Sequence, residues 1–459
     1  MSDGSISELI AAALRAPART VRALHARYLN PPLMRGLRYL DFTRDFVRAE
    51  GHYLHDAEGR RYADFLSAYG SVPLGHNHPE VIAAVAEVLR SGAVHFDQTG
   101  PKPLAAALAQ RLAALCPGDL EVCYFGSSGS EAVEGAIKLA RAATGRGTII
   151  VADGAYHGTT VAALSASGVS PGRALFAPLL PGLRRVPFGR AEALEAALAA
   201  EPVAAVMLEP IQGEAGIIVP PDGYLRDVAT LCRRHGALLI LDEVQTGLGR
   251  TGAMFACEHE RVEPDVLLLA KALSGGLAPV GAYVTSRSVW MRAYGTFARC
   301  ELHCSTFSGA PIGMAAAIAT LEILQRDRVV DHVRRLGALF ADELAPRLRA
   351  LPGVREVRGR GLLWAIELRG VDGLPPALDP LASLAVIQRL LRLGFFTQGC
   401  AGSPRAVRIQ PPLTIEANDL DAFTAALTDA VGKSAGLRAL ARTAQTALRA
   451  ATLDRQRFR

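Results

Sequence analysis

Short, continuous apolar runs alternate with Ala- and Leu-rich helical stretches across the middle of this 459-residue chain. Strands that are buried on both faces have this appearance, and helices separate them when the strands run parallel. The pattern predicts an α/β fold in which helices cover both faces of a mostly parallel sheet. The predicted strands are 122–125, 148–152, 203–208, 237–241, 266–270 and 280–285.

The flanking segments predict further units. Residues 1–48 are interpreted as an N-terminal helical arm, with an amphipathic helix through Arg27 and a breaker at Asn30-Pro31-Pro32. A large domain is predicted at 49–325, of which 49–75 packs with a smaller α+β domain at 326–432, and an Arg-rich helical tail at 433–459. The other predicted elements are strands 52–55, 61–65, 354–358, 362–368 and 407–410, and helices 311–325, 381–393 and 418–431.

The composition excludes several classes of function. The formal net charge is +6, yet the chain has only four lysines and no Lys/Arg block with interleaved aromatic residues, so no nucleic-acid binding is expected. No apolar stretch is long enough to span a membrane. The seven cysteines include no C-x-x-C pair, which predicts reduced thiols and no metal site. The apolar run 9–14 is too short for a signal peptide, so we expect a cytoplasmic protein.

Polar residues follow four of the predicted strands, at the sheet edge where ligands bind in such folds. These residues are Gly126–Ser130, Glu209, Asp242 and Lys271. Ser128, Gly129 and Ser130 precede a predicted helix at 131–141, whose N-terminal N–H groups and positive dipole end suit a phosphate.

Lys271 is unusual because it directly follows the buried run 266–270. Partial desolvation there lowers the pKa of an amine, and a lysine activated in this way forms Schiff bases. A phosphate cradle, such a lysine and a carboxylate for a pyridinium nitrogen together indicate pyridoxal 5′-phosphate.

Three other motifs carry less weight. Residues 247–252 match G-x-G-x-x-G, but no long helix follows them, so no dinucleotide site is expected. Gly432-Lys433-Ser434 lacks the upstream glycine of a P-loop, because Leu427 stands there. His76 and His78 lie one residue apart without Cys or Glu partners, which favours a turn lining the site over a metal site.

At this point the sequence resembles the class III aminotransferases, the fold-type-I pyridoxal-phosphate enzymes that include ornithine, acetylornithine, 4-aminobutyrate and putrescine aminotransferases. The resemblance covers roughly 49–431 and implies a seven-stranded, mostly parallel sheet. The motifs that carry it, in the order of the family, are 75–79, 125–141 (FGSSGSEAVEGAIKLAR), 156–158, 209–216 (EPIQGEAG), 241–252 (LDEVQTGLGRTG), 270–276 (AKALSGG), 303–307 (HCSTF) and 408–413 (RIQPPL).

The resemblance implies roles for individual residues. Lys271 would form the internal aldimine and act as general base, and Asp242 would pair with the pyridine nitrogen. Thr306 of the other subunit would join the phosphate cradle, which implies a homodimer with a shared active site. The implied cofactor-binding residues are Ser128, Gly129, Ser130, Tyr156 (stacked over the ring), His157, Glu209, Asp242, Val244 (under the ring), Gln245 (near the ring hydroxyl), Lys271 and Thr306.

Tyr69, Glu214 and Arg408 are the implied substrate-binding residues. Glu214 folded onto Arg408 would admit an amine without a nearby carboxylate, whereas Glu214 swung away would let Arg408 bind the α-carboxylate of 2-oxoglutarate or pyruvate. A ping-pong reaction through the Lys271 aldimine and pyridoxamine phosphate is expected.

One departure from the family affects the predicted donor. Relatives that act on ornithine or 4-aminobutyrate usually have arginine after the His/Trp-Gly pair, but here Thr159 follows His157-Gly158. Unless Arg173 or Arg405 replaces that cation, we expect a diamine such as putrescine or an aliphatic amine as donor. The alternatives are an ornithine- or acetylornithine-type aminotransferase, another reaction on the same cofactor (aminomutase, decarboxylase, amine phospho-lyase), or a cofactor-binding regulator without turnover.

Overall fold

A seven-stranded sheet forms the centre of the fold in the computed structural model, which describes residues 5–39, 42, 44–95, 99–170, 172–370 and 380–434. The tail predicted at 433–459 lies outside the described residues beyond Ser434. Within the described ranges the strands are β1 Phe46–Glu50, β2 Tyr53–Asp56, β3 Arg61–Asp64, β4 Leu120–Gly126, β5 Thr148–Ala152, β6 Leu183–Val186, β7 Val203–Leu208, β8 Leu238–Asp242, β9 Val266–Leu269, β10 Gly281–Ser286, β11 Val354–Arg360, β12 Leu363–Leu368, β13 Phe395–Phe396, β14 Gly399–Cys400 and β15 Ser403–Ile409.

The order of the central sheet is β4-β10-β9-β8-β7-β5-β6. Strand β10 is antiparallel to both of its neighbours, and the other adjacent pairs are parallel. The predicted mostly parallel sheet is therefore confirmed. Because β10 reverses direction between β4 and β9, the carboxyl ends of β4, β7, β8 and β9 share one edge of the sheet.

Each of the six predicted apolar runs corresponds to a strand of this sheet, with ends that differ by at most two residues. The seventh strand, β6, has no apolar run because Arg184 and Arg185 occupy its middle. It lies at an edge of the sheet, where one side of the strand meets solvent and charged residues are tolerated.

Helices bury both faces of the sheet. Successive side chains of a strand point to opposite faces, and Ile150 and Val206 enter one hydrophobic cluster while Ile149 and Met207 enter another. The helices of the described residues span Ile6–Leu14, Ala18–Tyr28, Pro31–Tyr39, Pro79–Arg90, Pro103–Leu115, Gly129–Thr144, Val161–Ala166, Ala191–Ala200, Tyr224–His235, Arg287–Tyr294, Pro311–Arg326, Val329–Leu339, Ala345–Arg349, Pro380–Arg392 and Ala417–Ser434, with a single π-helical turn at Phe340–Leu344.

The N-terminal arm differs from its prediction. It is not one helix through Arg27, because Pro17 separates Ile6–Leu14 from Ala18–Tyr28. The proposed breaker also begins a third helix. Asn30 Oδ1 accepts a hydrogen bond from Leu33 N (3.1 Å), and Pro31 at the first helical position has the φ that a helix requires.

Two smaller sheets flank the central one. Strands β11-β12-β15-β14 form the first, and β1-β2-β3-β13 form the second, in which β13 from the C-terminal part of the chain pairs in parallel with β3. Strand β1 was not predicted, and β2 begins one residue later than predicted. The pairing of β13 with β3 brings the segment that follows β3 close to the end of β15.

Candidate active site

A cavity of about 480 Å³ opens at the shared carboxyl edge of β4, β7, β8 and β9. Ten of the predicted cofactor-binding residues line it. They are Ser128, Gly129, Ser130, Tyr156, His157, Glu209, Asp242, Val244, Gln245 and Lys271. The topology alone explains this convergence, since each of these side chains follows a strand or begins the helix after it.

One end of the cavity is suited to an anion. Ser128 caps the helix Gly129–Thr144, and its Oγ accepts a hydrogen bond from Glu131 N (3.2 Å). The first N–H groups of this 16-residue helix, and its positive dipole end, point toward the cavity end that Ser128 lines. Gly158, at φ 125°, lies so close that a Cβ there would be 2.1 Å from Ser130 Oγ. This end therefore forms a tight cradle for a phosphate.

Asp242 and His157 form a buried pair in the cavity wall. The Asp242 Oδ2 atom lies 2.7 Å from His157 Nδ1, and Oδ1 accepts a hydrogen bond from Val244 N (3.1 Å). Burial opposes the charged imidazole, but the hydrogen bond to Asp242 and its charge outweigh burial and raise the pKa of His157.

Glu209 is a second buried carboxyl group in the wall. It accepts hydrogen bonds from Tyr156 N (2.9 Å) and Gly213 N (3.1 Å). Burial nevertheless raises the pKa of Glu209 to about 7. Its side chain thus fixes two backbone segments of the site and titrates near neutral pH.

Lys271 follows β9 with a backbone φ of 27°, in the left-handed region that side chains rarely adopt. Desolvation lowers the pKa of its amine, although the nearby charges of Asp242 and Glu214 oppose this shift. Backbone strain of this kind clusters at functional sites. Lys271 lines the same cavity as the phosphate cradle and Asp242.

These features fit pyridoxal 5′-phosphate. A phosphate cradle, a buried carboxyl group and an amine of lowered pKa line one cavity, in the combination that the chemistry of this cofactor needs. Among the residues that the structure describes, no group of His, Cys, Asp and Glu side chains is arranged to hold a metal ion.

Arg408 is the centre of a second cluster. Its side chain is fully buried, and its Nη2 donates to Glu214 Oε1 at 2.7 Å. Its Nη1 donates to Gln245 Oε1 (2.6 Å) and Gln410 Oε1 (2.9 Å), and its Cζ lies 5.2 Å from the centre of the Tyr69 ring. Burial opposes ionisation of Glu214, yet the Arg408 charge and hydrogen bonds keep the pKa of Glu214 low.

The sequence analysis named Glu214, Arg408 and Tyr69 as one substrate-binding set. It did not predict that Gln245 and Gln410 are hydrogen-bond partners of Arg408. Gln245 was assigned to the cofactor alone, whereas its Oε1 binds Arg408. The contact of Gln410 could have been predicted from its position. Gln410 directly follows β15 and is two residues after Arg408, and residues two apart in an extended segment lie on the same face.

Three other residues from the sequence lie elsewhere in this chain. Thr306 lines a separate cavity of about 360 Å³ with Lys102 and Pro311. Arg173 Nη2 donates to Ser165 O, and Arg405 Nη2 lies 3.9 Å from Glu367 Oε1. In the described part of the chain, neither arginine lines the cavity that contains Lys271.

The excluded motifs have structural explanations. A 3₁₀ turn at Ala256–Glu260, not a long helix, follows the glycines of 247–252. Lys433 lies in the last turn of the helix Ala417–Ser434 and pairs with Asp429. His76 Nε2 lies 2.8 Å from Asp64 Oδ2, next to the start of the segment that carries Tyr69. Across the ranges described above, no helix is both long and apolar enough to cross a membrane.

The sheet and this set of side chains define a pyridoxal-phosphate-dependent transferase of fold type I. Residues 37–431 match the family model of the class III aminotransferases, and the chain belongs to this family. The resemblance noted in the sequence is therefore confirmed, and with it the enzyme class and the cofactor.

Solved structures agree with this membership. An ornithine aminotransferase from Toxoplasma gondii, described with pyridoxal phosphate partly occupying its active site, is 30% identical over 94% of this chain and 98% of its own, with a TM-score of 0.82. An adenosylmethionine-8-amino-7-oxononanoate aminotransferase from Methanocaldococcus jannaschii is 29% identical over 91% and 100%, with a TM-score of 0.83. An amine transaminase from an uncultivated Pseudomonas species is 29% identical over 85% and 95%, with a TM-score of 0.77.

Proposed function

We propose that this aminotransferase moves an amino group from a primary amine or diamine to a 2-oxo acid, with a putrescine-like or aliphatic amine as donor and 2-oxoglutarate as acceptor. The observation that carries the proposal is the contact between Glu214 and the fully buried Arg408. With Glu214 bound to Arg408, the pair has no net charge and suits a substrate that lacks a carboxylate. With Glu214 moved away, the free Arg408 guanidinium can bind a substrate carboxylate.

When bound, pyridoxal phosphate would supply an aldehyde carbon that carries the amino group and a pyridine ring that withdraws electrons from the substrate. The helix that begins at Gly129 would hold its phosphate, and Asp242 would pair with the pyridine nitrogen. Lys271 would bind the cofactor through its amine and then move a proton to and from the substrate carbon. The lowered pKa of Lys271 supports this role, because a neutral amine is needed for both steps.

The donor and acceptor meet different forms of the Arg408 cluster. An amine without a nearby carboxylate leaves Glu214 on Arg408, so no buried charge is left unpaired. A 2-oxo acid replaces Glu214 with its own carboxylate, which Arg408 can bind with two parallel hydrogen bonds. The guanidinium thus has a charged partner in both halves of a ping-pong reaction.

Thr159 supports an amine donor over an ω-amino acid. Its N–H faces Ser130 Oγ (3.4 Å), and a threonine at this position offers no cation for a distal carboxylate. Since Arg173 and Arg405 have other partners, a donor with an uncharged or cationic far end fits this cavity better.

We further propose a cytoplasmic homodimer in which Thr306 of the partner subunit completes the phosphate site. The location of Thr306 supports this assembly, because within its own chain this threonine lines a cavity separate from the one that contains the phosphate cradle.

The test of the donor is a steady-state comparison of kcat/KM for putrescine, simple alkylamines, ornithine and 4-aminobutyrate, each with 2-oxoglutarate and with pyruvate. We expect putrescine or an alkylamine to exceed the two amino acids by at least tenfold. The similarity to an ornithine aminotransferase favours one alternative, and a clear preference for ornithine would establish it instead. Turnover without transfer to a 2-oxo acid would point to a lyase, decarboxylase or mutase.

A further inference from the structure

A second buried guanidinium, that of Arg250, lies behind the Arg408 cluster. Arg250 is only 2% exposed. Burial lowers the pKa of Arg250 to about 9, although the charge of the nearby Asp64 carboxylate opposes this shift, so the side chain remains charged at neutral pH. Among the described residues its direct hydrogen-bond partners are neutral oxygen atoms rather than carboxylates. A buried charge held in this way is costly, so its contacts need an explanation.

The hydrogen bonds of Arg250 join separate segments of the chain. Its Nη1 donates to Pro411 O (2.5 Å) and to Leu362 O (3.2 Å), and its Nη2 donates to Ser67 Oγ (3.5 Å). Its own carbonyl oxygen accepts from Leu362 N (3.0 Å). One side chain therefore ties the loop after β8 to the start of β12, to the end of β15 and to the segment after β3.

The segment after β3 is strained. Ser67, Ala68 and Tyr69 have φ values of 43°, 49° and 58°, which non-glycine residues rarely adopt in succession. This turn directs the Tyr69 ring toward Arg408. Ser67 Oγ, the atom that Arg250 binds, donates in turn to Gln410 O (2.9 Å). Such a turn persists only where surrounding contacts hold it, and Arg250 provides one of them.

The second segment held by Arg250 contains Gln410 and Pro411. Gln410 Oε1 accepts a hydrogen bond from Arg408, and Pro411 O accepts one from Arg250. The two segments also touch, because a Cβ added at Gly70 would lie 2.6 Å from Gln410 Nε2. Tyr69 and Gln410 both contact Arg408, and Arg250 binds both of the segments that carry them.

We infer that Arg250 is a positioning residue for carboxylate recognition, which holds the Tyr69 turn and Gln410 in the arrangement that presents the Arg408 guanidinium. This inference rests on the proposed function, in which Arg408 binds the carboxylate of the 2-oxo acid. Arg250 touches no substrate itself. Its charge adds to the positive potential behind Arg408, so its effect falls on the carboxylate-bearing substrate.

The test compares the two half-reactions in the Arg250→Lys holoenzyme. Lysine keeps the charge, but all of its donors are on one nitrogen, so it cannot reproduce the planar geometry in which two guanidinium nitrogens bind Pro411, Leu362 and Ser67. We expect KM for 2-oxoglutarate to rise at least tenfold with kcat within threefold of wild type. The half-reaction with an amine that lacks a carboxylate should change less than threefold. Calorimetry with glutarate, a dicarboxylate that cannot react, should show at least tenfold weaker binding.

Arg146 offers a matched control. Its guanidinium likewise joins separate segments, because Nη1 lies within hydrogen-bond distance of the backbone carbonyl oxygens of Val203, His235 and Gly236 at the opposite edge of the sheet. Arg146→Lys should lower the melting temperature and leave KM for 2-oxoglutarate and the glutarate affinity unchanged. If Arg250→Lys slows both half-reactions equally, or leaves both unchanged, the inference is wrong.

A second variant covers the case in which Arg250→Lys does not fold. Ser67→Ala removes only the hydroxyl that links Arg250 to Gln410 O, and we expect KM for 2-oxoglutarate to rise about threefold. An unchanged KM and glutarate affinity in a folded Ser67→Ala enzyme would contradict the inference. Failure of the proposed function is separately visible, since wild-type enzyme would then transfer no amino group from any amine, whereas glutarate binding would still report on Arg250.

Discussion

Arg408 and Glu214 form the ion pair on which the proposed use of two unlike substrates depends. Arg408 is fully buried, and Glu214 is the only carboxylate within ion-pair distance of it among the described residues. Removing Glu214 leaves the buried charge of Arg408 without a carboxylate partner, which is costly. The carboxylate of a substrate can then take the place of Glu214.

Replacing Glu214 by Gln should shift the enzyme toward substrates that carry a carboxylate next to the amine. A hydrogen bond to a charged group contributes about 1.5–3 kcal/mol, so we expect kcat/KM for glutamate as donor to rise about tenfold. With an amine that lacks a carboxylate, kcat/KM should fall by a similar factor. The measurement is the pair of half-reaction rates. Glu201→Gln, which removes an exposed partner of Arg184, is the control, and equal changes with both substrates would contradict the prediction.

Glu209 should make stability depend on pH. Its pKa in the folded protein, about 7, lies above the ordinary 4.5, so the folded state binds more protons between these values. Its contribution to stability is therefore complete below pH 4.5 and is lost as pH rises through 7. Wild-type cofactor-free protein should lose stability relative to Glu209→Gln between pH 5 and 8, by up to about 1.4 kcal/mol per pH unit. Melting temperatures of both proteins across this range test it, and a constant difference would refute it.

At the residue scale, the sequence predicted which side chains line one cavity better than it predicted the contacts between them. Lys271 and Asp242 could be found because each directly follows a buried apolar run. The bond between Gln245 and Arg408 could not be found, because these residues are 163 positions apart. Nothing local in the sequence reports which distant groups meet in a folded site.

At the scale of elements, the start of the helix Gly129–Thr144 forms the end of the cavity that suits an anion. The apolar strand β4 ends in Gly126, and the Ser-rich turn that follows caps the helix. This order of strand, small residues and helix is visible in the sequence and predicted the cradle. The neighbouring loop at Gly158 was not predicted, because its approach to Ser130 depends on tertiary packing.

Gly158→Ala should weaken cofactor binding. A Cβ at this position would lie 2.1 Å from Ser130 Oγ, and the φ of 125° is unfavourable for alanine. Ser130 would have to move out of the cradle, and we expect the Kd for pyridoxal phosphate to rise at least tenfold. The control is Gly145→Ala at the other end of the same helix, where φ is also positive but nothing lies within 4 Å of the added Cβ. Equal cofactor affinity in the two variants would contradict the prediction.

Other elements show where sequence patterns fail. Apolar runs predicted the buried strands of the central sheet. They did not predict β6, because an edge strand need not be apolar throughout. In the N-terminal arm, prolines were read as helix breakers, whereas Pro31 begins a helix. Both errors arise because the same residue type serves different purposes in different positions.

At the scale of the whole molecule, the sheet topology brings the candidate site residues to one edge of the central sheet. The six strands other than β10 point the same way, so Gly126, Glu209, Asp242 and Lys271 meet at one edge although they are spread over nearly 150 residues. The smaller sheet β11-β12-β15-β14 adds Arg408 through β15, and the smaller sheet β1-β2-β3-β13 adds Tyr69 through the turn after β3. The sequence predicted that the residues after the strands of the central sheet would meet, from the rule that ligands bind at the carboxyl ends of parallel strands. The contact of Tyr69 with Arg408 required the three sheets to pack together.

The most direct test of the account is the visible absorbance spectrum of the purified enzyme, loaded with pyridoxal phosphate and titrated with putrescine, alkylamines, ornithine, 4-aminobutyrate, alanine and glutamate. We predict that an amine or diamine converts the band of the lysine-bound cofactor to that of the pyridoxamine form, and that 2-oxoglutarate reverses the change. Lys271→Ala should show no such cycle. A wild-type band that no amine converts, or that no 2-oxo acid restores, would contradict transamination at this site.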